Sequence, residues 1–99
     1  MLTLKMKRRI KRKMSTQKPT IWIGKHGTTK ETLAEIDRQL EREEVVKVKV
    51  LKTAIVESDA KSIADETARR TRSVAVAVRG HTFVLYRKRE KGESATARK

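Results

Sequence analysis

The chain has 99 residues, which is the length of a single domain. It carries 26 Lys and Arg residues against 12 Asp and Glu residues, and this formal net charge of +14 indicates an acidic partner, with nucleic acid favoured over an anionic membrane surface. Cysteine is absent, which excludes disulfides, thiolate zinc sites and cysteine nucleophiles.

Residues 1–18 predict a basic N-terminal helix, because they hold eight Lys and Arg residues and no acid. Met6, Ile10 and Met14 recur at i, i+4 spacing and mark one apolar side. Pro19 is expected to end the helix, since the residue before a proline avoids the α region. A disordered basic arm is the alternative.

No apolar run has the length of a membrane span, and the N-terminal segment lacks the apolar stretch of a secretory signal, so a cytoplasmic protein is expected.

The next segment predicts a strand, a turn and a helix. Thr20–Ile23 is a short apolar run between a proline and a glycine, which is typical of a strand. Thr28 is the predicted N-cap of a helix from about Thr29 to Glu43, with Glu31 completing a capping box. Half of all the acids lie on this helix or next to its end, so it should not face a polyanion. Its predicted buried stripe is Leu33, Ile36 and Leu40.

The second half of the chain predicts a strand, a third helix and a closing hairpin. Residues 46–50 alternate Val with Lys, as in a half-buried strand with one lysine-lined face. Ser58 or Asp59 can cap a helix that ends near Thr71. Residues 73–78 and 82–86 are predicted strands, and Gly80 supplies a positive φ in the tight turn between them. The last strand is apolar on both faces, as a central strand would be. The residues of the third helix that should face inward are Ala60, Ile63, Ala64 and Thr67.

The order α-β-α-β-α-β-β predicts an α/β fold, of the two-layer α+β kind, in one domain, residues 1–88. It implies two right-handed crossovers, a parallel core and a closing antiparallel hairpin. Residues 89–99 are predicted to be a basic, disordered tail.

The motif with the clearest chemistry is Gly24-Lys25-His26-Gly27, placed between a strand and a helix N-terminus. Such a terminus offers unpaired N–H groups and partial positive charge, which suit a phosphate. Glycines allow close approach of a ligand backbone, and both intervening residues can donate hydrogen bonds. KH domains clamp a single-stranded backbone with the same Gly-x-x-Gly device. An ordinary strand-to-helix turn is the alternative, whereas a Walker A or dinucleotide motif is excluded by the spacing.

Other residues allow two interpretations. Trp22 could stack on a base or belong to the core. Arg87 could project toward the loop or serve as a polar strand end. His26 and His81 are the only histidines, so a metal site is not expected. No nucleophile, base and orienting group come together in the pattern, which argues against an enzyme.

Several runs resemble the CRM domain, the chloroplast RNA splicing and ribosome maturation family, and in particular its free-standing prokaryotic YhbY-type members. The resemblance rests on Lys18-Pro19, Gly24–Gly27, Leu33–Ile36, Val46–Val50 and the closing Gly80–Arg87, and it covers roughly residues 4–88. The chain departs from the family in the density of Lys and Arg in its first helix and in the residues of its Arg79-Gly80-His81 turn.

The resemblance implies a four-stranded mixed sheet with helices, like the C-terminal domain of translation initiation factor 3. It also implies a KH-like loop that binds RNA, and association with large-subunit ribosomal RNA during ribosome assembly. The expected function is therefore an RNA-binding assembly factor or RNA chaperone without a cofactor. An architectural double-stranded DNA-binding protein and a structural ribosomal protein are the alternatives. The predicted RNA-binding residues are Gly24, Lys25, His26, Gly27, Thr28, Lys30, Arg8, Arg12, Lys18 and Arg87.

Overall fold

The computed structural model describes residues 2–55 and 59–88. The elements in these ranges are helix α1 (Leu4–Ser15), strand β1 (Ile21–Ile23), helix α2 (Lys30–Glu43), strand β2 (Val45–Val50), helix α3 (Lys52–Ile55), helix α4 (Ala60–Thr71), strand β3 (Val74–Arg79) and strand β4 (Thr82–Tyr86). The predicted order is confirmed with one addition, because the single turn α3 was not predicted. Ser58 and the tail 89–99 lie outside the described residues.

The four strands form one mixed sheet in the order β1-β2-β4-β3. Strands β1 and β2 are parallel, whereas β4 is antiparallel to both β2 and β3. The central place predicted for the last strand is therefore confirmed. The expected parallel core is limited to one pair of strands, because β4 turns back from β3 and inserts between β3 and β2.

Side chains alternate between the two faces of the sheet and form a core on each. The larger core joins one face to α2 and α4, and it includes Ile36, Leu40 and Phe83. The smaller core joins the opposite face to α1, where Met14 packs with Val84, so α1 adds a third layer to the predicted two. These surfaces are called the α2/α4 face and the α1 face below. The inward residues predicted for the third helix are all buried in α4.

Helix α1 is shorter than the predicted helix over residues 1–18. It begins after the N-cap Thr3 and ends at Ser15, so Pro19 does not end it. Ser15 donates a hydrogen bond from Oγ to the Arg12 carbonyl at 2.8 Å, which satisfies one of the last carbonyls of the helix. The apolar side predicted from the i, i+4 spacing does pack on the sheet, through Ile10 and Met14.

Lys47 of β2 holds the C-terminal end of α1 on the sheet. Its Nζ donates hydrogen bonds to the Met14 and Gln17 carbonyls, each at 2.8 Å. A lysine at this position satisfies exposed carbonyls and opposes the negative end of the helix dipole. Lys47 is therefore a structural residue, whereas Lys49, two residues further along the same strand, is exposed.

Asp59 caps the N-terminus of α4, as one of the two predicted alternatives. Its Oδ1 accepts a hydrogen bond from the Ser62 backbone N–H at 2.7 Å. That bond, with a smaller contribution from the Ser62 side chain, lowers the pKa of the Asp59 carboxyl below its ordinary value of about 3.8. Desolvation opposes this shift, and the charge of Lys61, which has the smallest effect, adds to it.

Three connections meet at one end of the sheet. Strands β1 and β2 run the same way and finish together, because Ile23 pairs with Val50. Strand β4 starts at this end, where Thr82 pairs with both Lys49 and Arg79. This end, with the connecting residues 24–27, 51–52 and 79–81, is called the loop end below.

Candidate nucleic-acid interface

The Gly24–Gly27 segment is a tight turn at the loop end. Gly24 and Gly27 form an isolated antiparallel bridge, and Gly27 N donates to the Gly24 carbonyl at 2.8 Å. The bridge closes the turn and places Lys25 and His26 at its tip, where both side chains are exposed. The turn therefore presents two hydrogen-bond donors to solvent from a short, internally bonded backbone.

The two glycines meet different requirements. Gly27 has a φ of +71°, in the left-handed region that side chains other than glycine rarely adopt. Gly24 does not have a positive φ, and a Cβ built there would lie 3.6 Å from Leu51 Cδ1, an ordinary van der Waals contact. Gly27 is thus needed for the shape of the turn, whereas Gly24 keeps the surface beside it free of a side chain.

The helix that follows the turn is capped one residue later than predicted. Thr29, not Thr28, is the N-cap of α2, and its Oγ1 accepts a hydrogen bond from Thr32 N at 3.2 Å. Glu31 therefore does not occupy the position that a capping box requires. Thr28 instead places its Oγ1 3.3 Å from Thr67 Oγ1 of α4, which ties the end of the turn to the helical layer.

Lys30 is the first residue of α2, and its side chain is exposed beside the turn. The N–H groups of a first helical turn have no intrahelical partner and carry partial positive charge. Lys25 in the turn and Lys30 in the first turn of the helix thus flank the N-cap Thr29 along the chain. This arrangement can accept a phosphate group, although Glu31 in the same first turn partly opposes it.

The turn between β3 and β4 adds two residues to the loop end that the sequence interpretation gave no role. The His81 carbonyl accepts a hydrogen bond from Val50 N at 2.6 Å, so this turn lies directly against the end of β2. Arg79 and His81 are both exposed. The signal that could have found them is the strand order, because only a central β4 brings its first residues next to the end of β2.

Most of the cations of helix α1 are exposed to solvent. Arg8 and Arg12 are exposed one turn apart, and Lys18 is exposed just after the helix. A shallow groove separates α1 from the sheet, with Lys11 on the helix side and Arg79 and Thr82 on the sheet side. The basic helix and the loop end therefore border one continuous surface.

Arg87 does not belong to this surface, which corrects the expectation that it projects toward the loop. Val45 pairs with Tyr86, so the end of β4 lies at the opposite end of the sheet. The guanidinium donates from Nη1 to Asp37 Oδ1 at 2.6 Å and to the Thr71 carbonyl at 2.8 Å. Its Nη2 also donates to the Asp37 carbonyl at 3.2 Å and to Glu41 Oε2 at 3.3 Å.

The charges of the described residues are separated by layer. Every acid among them lies on α2 or α4 or at one of their caps, and none lies on α1 or on a strand. Several of these acids form ion pairs within their own helix, as Asp65 does with Lys61 and Glu66 with Arg70. The charged residues of the α1 face are therefore all cations, whereas the outer side of α2 and α4 carries both cations and acids.

No group of metal-ligating side chains and no helix suited to crossing a membrane occurs within residues 2–55 and 59–88.

Residues 2–87 match the CRS1/YhbY (CRM) domain family, which covers most of the chain and the whole of the sheet. The sequences of curated relatives match this chain over similar lengths. A probable RNA-binding protein of Methanocaldococcus jannaschii is 39% identical over 98 residues, which is 99% of this chain and 72% of the relative. An RNA-binding protein of Haemophilus influenzae is 33% identical over 99 residues, or 99% of this chain and 97% of the relative.

Solved structures include a close match in fold. The solution structure of a hypothetical protein from Staphylococcus aureus, proposed to bind RNA, superposes with a TM-score of 0.75 at 36% identity. The match covers 91% of this chain and 92% of the other.

Proposed function

The chain belongs to the CRS1/YhbY (CRM) domain family, and on that premise we propose that it binds RNA, specifically ribosomal RNA or precursors of the large ribosomal subunit. It acts there as an assembly factor or RNA chaperone in the cytoplasm, without catalysis. The observation that carries the proposal is the exposed cluster of Lys25, His26 and Lys30 at a helix N-terminus, next to a loop end and an α1 that carry cations and no acid.

The proposed mechanism divides the work between two parts of this surface. The Gly24–Gly27 turn and the first turn of α2 orient the RNA by holding one or more phosphates. The cations of α1, including Arg8 and Arg12, supply most of the affinity and raise the association rate, because they attract a polyanion at longer range. The outer side of α2 and α4 faces away from the RNA.

The test of the turn is the double substitution Lys25→Ala with His26→Ala. We expect it to weaken binding to a fragment of large-subunit ribosomal RNA by about tenfold, since hydrogen bonds to a charged group are lost. Both side chains are exposed, so the unfolding transition should not change. Fluorescence anisotropy at fixed salt measures the affinity, and circular dichroism verifies the fold.

The matched control is Lys61→Ala with Arg69→Ala, two exposed cations on α4. This variant removes at least as much positive charge from the other layer and should bind RNA almost as well as the parent chain. Equal losses in the two double variants would show that net charge, and not the turn, governs binding. Tighter binding to duplex DNA of equal length than to the RNA would instead favour the architectural DNA-binding alternative.

Association with precursors is tested separately from RNA affinity. An assembly factor should cosediment with precursor particles of the large subunit and leave mature subunits during a high-salt wash. Stoichiometric retention on mature subunits after that wash would identify a structural ribosomal protein and contradict this part of the proposal.

A further inference from the structure

The loop end carries an exposed aromatic side chain that the proposed mechanism does not use. Trp22 lies in the middle of β1 between the buried Ile21 and Ile23, and it is 54% exposed. Since the flanking residues point into the larger core, Trp22 points to the α1 face. It is therefore not a core residue, which leaves the interpretation that its ring is available to stack on a base.

The strand register places Trp22 in a row across the α1 face. Trp22 is opposite Lys49, Lys49 is opposite Thr82, and Thr82 is opposite Arg79. Side chains directly opposite each other on neighbouring strands share one face of a sheet. At a strand spacing of about 4.8 Å the row extends about 14 Å, with the aromatic ring at one end and a cation at the other.

Helix α1 does not pack on this row, and its Lys11 borders the groove that Arg79 and Thr82 line. Its packing contacts fall further from the loop end, where Met14 meets Val76 and Val84. Trp22, Lys49 and Arg79 are all exposed, and Thr82 is half-buried. The row also lies next to the Gly24–Gly27 turn, because only Ile23 separates Trp22 from Gly24. A nucleotide whose phosphate is held at the turn can thus reach the ring.

We propose that the row of Trp22, Lys49, Thr82 and Arg79 binds unpaired nucleotides, with Trp22 stacking on one base and the two cations contacting the adjoining phosphates. The inference rests on the proposed function and names its substrate class, single-stranded RNA or an unpaired segment of a folded RNA. The combination of a stacking side chain with cations along one sheet face is what sequence-tolerant binding of single strands requires. A paired base inside a duplex does not expose its face to such a ring.

Trp22 is the only tryptophan in the chain, so its fluorescence reports directly on this site. The full chain is titrated at fixed salt with a single-stranded RNA and with a blunt RNA duplex of the same sequence. We expect the single strand to quench the Trp22 emission strongly and the duplex to leave it nearly unchanged. Equal quenching by both would overturn the inference.

Substitutions test the same inference through affinity. Trp22→Leu should weaken single-strand binding by about 5- to 100-fold, the usual range for losing one stacked base, whereas Trp22→Phe should retain most of the affinity. Duplex binding should be the same in both variants. Val74→Ser is the matched control, because Val74 is 44% exposed in β3 but lies at the far end of the sheet.

The results separate failure of the inference from failure of the proposed function. If Trp22→Leu binds single strands as tightly as the parent chain while Lys25→Ala with His26→Ala still weakens binding, the row has no role and RNA binding at the turn stands. If the parent chain binds neither RNA, both proposals are wrong. Lys49→Gln compared with Lys61→Gln gives the same separation for the cations of the row, because only the first lies on the α1 face.

Discussion

Gly24 and Gly27 close the same turn, but a methyl group would affect them differently. Gly27→Ala should lower the free energy of unfolding by about 1 kcal/mol, because it forces a Cβ into the left-handed region at φ +71°. Gly24→Ala should leave stability nearly unchanged, since the added atom meets Leu51 at an ordinary contact distance. Urea unfolding of the two variants measures both effects.

RNA affinity should separate the same two variants. Gly24→Ala places a side chain beside the exposed turn and should weaken RNA binding while the domain stays folded. A larger side chain at Gly24 should weaken binding more than the loss of the Lys25 and His26 side chains. Unchanged affinity in Gly24→Leu would mean that the ligand backbone does not approach the turn at this glycine.

Arg87 is expected to contribute to stability and not to RNA binding. Arg87→Ala removes the hydrogen bonds to Asp37 and to the Thr71 carbonyl from a side chain that is only 18% exposed. Because Asp37 itself is largely exposed, we expect a loss of about 1–2 kcal/mol in the free energy of unfolding. Arg87→Lys keeps the charge but not the two-pronged geometry, so it should recover only part of this loss.

The same Arg87 variants also test the assignment of the two ends of the sheet. Their RNA affinity, measured at a temperature where all of them are folded, should equal that of the parent chain. If the Arg87→Ala protein is folded but binds RNA more weakly, the interface lies at the Arg87 end of the sheet and the proposed location is wrong.

Single residues also show the limit of sequence patterns. Thr28 and Thr29 are adjacent, and either hydroxyl can cap a helix, so a Thr with Glu three positions later favours Thr28. The structure uses Thr29 because Thr28 lies against Thr67 of α4, a contact 39 residues away along the chain. The side chain of Arg87 illustrates the same limit, since its partners on α2 were visible in the sequence only as surface acids.

The N-cap of helix α4 makes the stability of the folded chain depend on pH. The pKa of Asp59 is lower in the folded chain than its ordinary value, because the ionised carboxylate accepts the Ser62 N–H. Its contribution to stability is therefore fully present above the ordinary pKa and is lost as the pH falls through the lower, folded value. We expect the stability of the parent chain to fall below about pH 4 partly for this reason.

The control for this effect is Asp59→Asn, which can cap the helix but does not titrate in this range. Chemical unfolding at a series of pH values should show a steeper loss below about pH 4 for the parent chain than for Asp59→Asn. Parallel curves for the two proteins would mean that the carboxylate does not stabilise α4 through its charge. The other acids are common to both chains and cancel in the comparison.

The elements themselves follow closely from local patterns. Apolar periodicity and capping residues predict the bounds of α2 to within one residue and the end of α4 at Thr71, and the continuous apolar run of residues 82–86 predicts β4. Their arrangement does not follow from local patterns, because the insertion of β4 between β2 and β3 depends on pairings far apart in sequence. Helix α3 is a single turn, which is too short to produce a periodic signal.

The separation of charge between the α1 side and the α2/α4 side of the molecule predicts that only the cations of the α1 side contribute to the salt dependence of RNA binding. Arg8→Gln with Arg12→Gln removes two exposed cations from the acid-free side. If each contacts a phosphate, the slope of log affinity against log salt on single-stranded RNA should decrease by about 1.4 in magnitude, or about 0.7 for each contact. Lys61→Gln with Arg69→Gln on the other layer should leave the slope unchanged.

This measurement also tests the proposed orientation of the RNA. A reduced slope in the α4 variant, with no reduction in the α1 variant, would mean that the RNA lies on the outer side of α2 and α4. Crosslinks from RNA to residues 35–44, in α2 and its C-cap, would lead to the same conclusion. The net charge alone, read from the sequence, predicted a polyanionic partner but not which side of the sheet receives it.

Lys47 and Met14 have a thermodynamic consequence for binding. Because they hold α1 on the sheet as a formed helix in the protein alone, its cations are preorganised, and RNA does not have to fold a disordered arm around itself. Association should then show the small heat-capacity change of a polar, preformed interface, without the large negative value of coupled folding and binding. Lys47→Ala should loosen α1, and it should move the heat-capacity change of binding toward that of a segment that folds on its ligand.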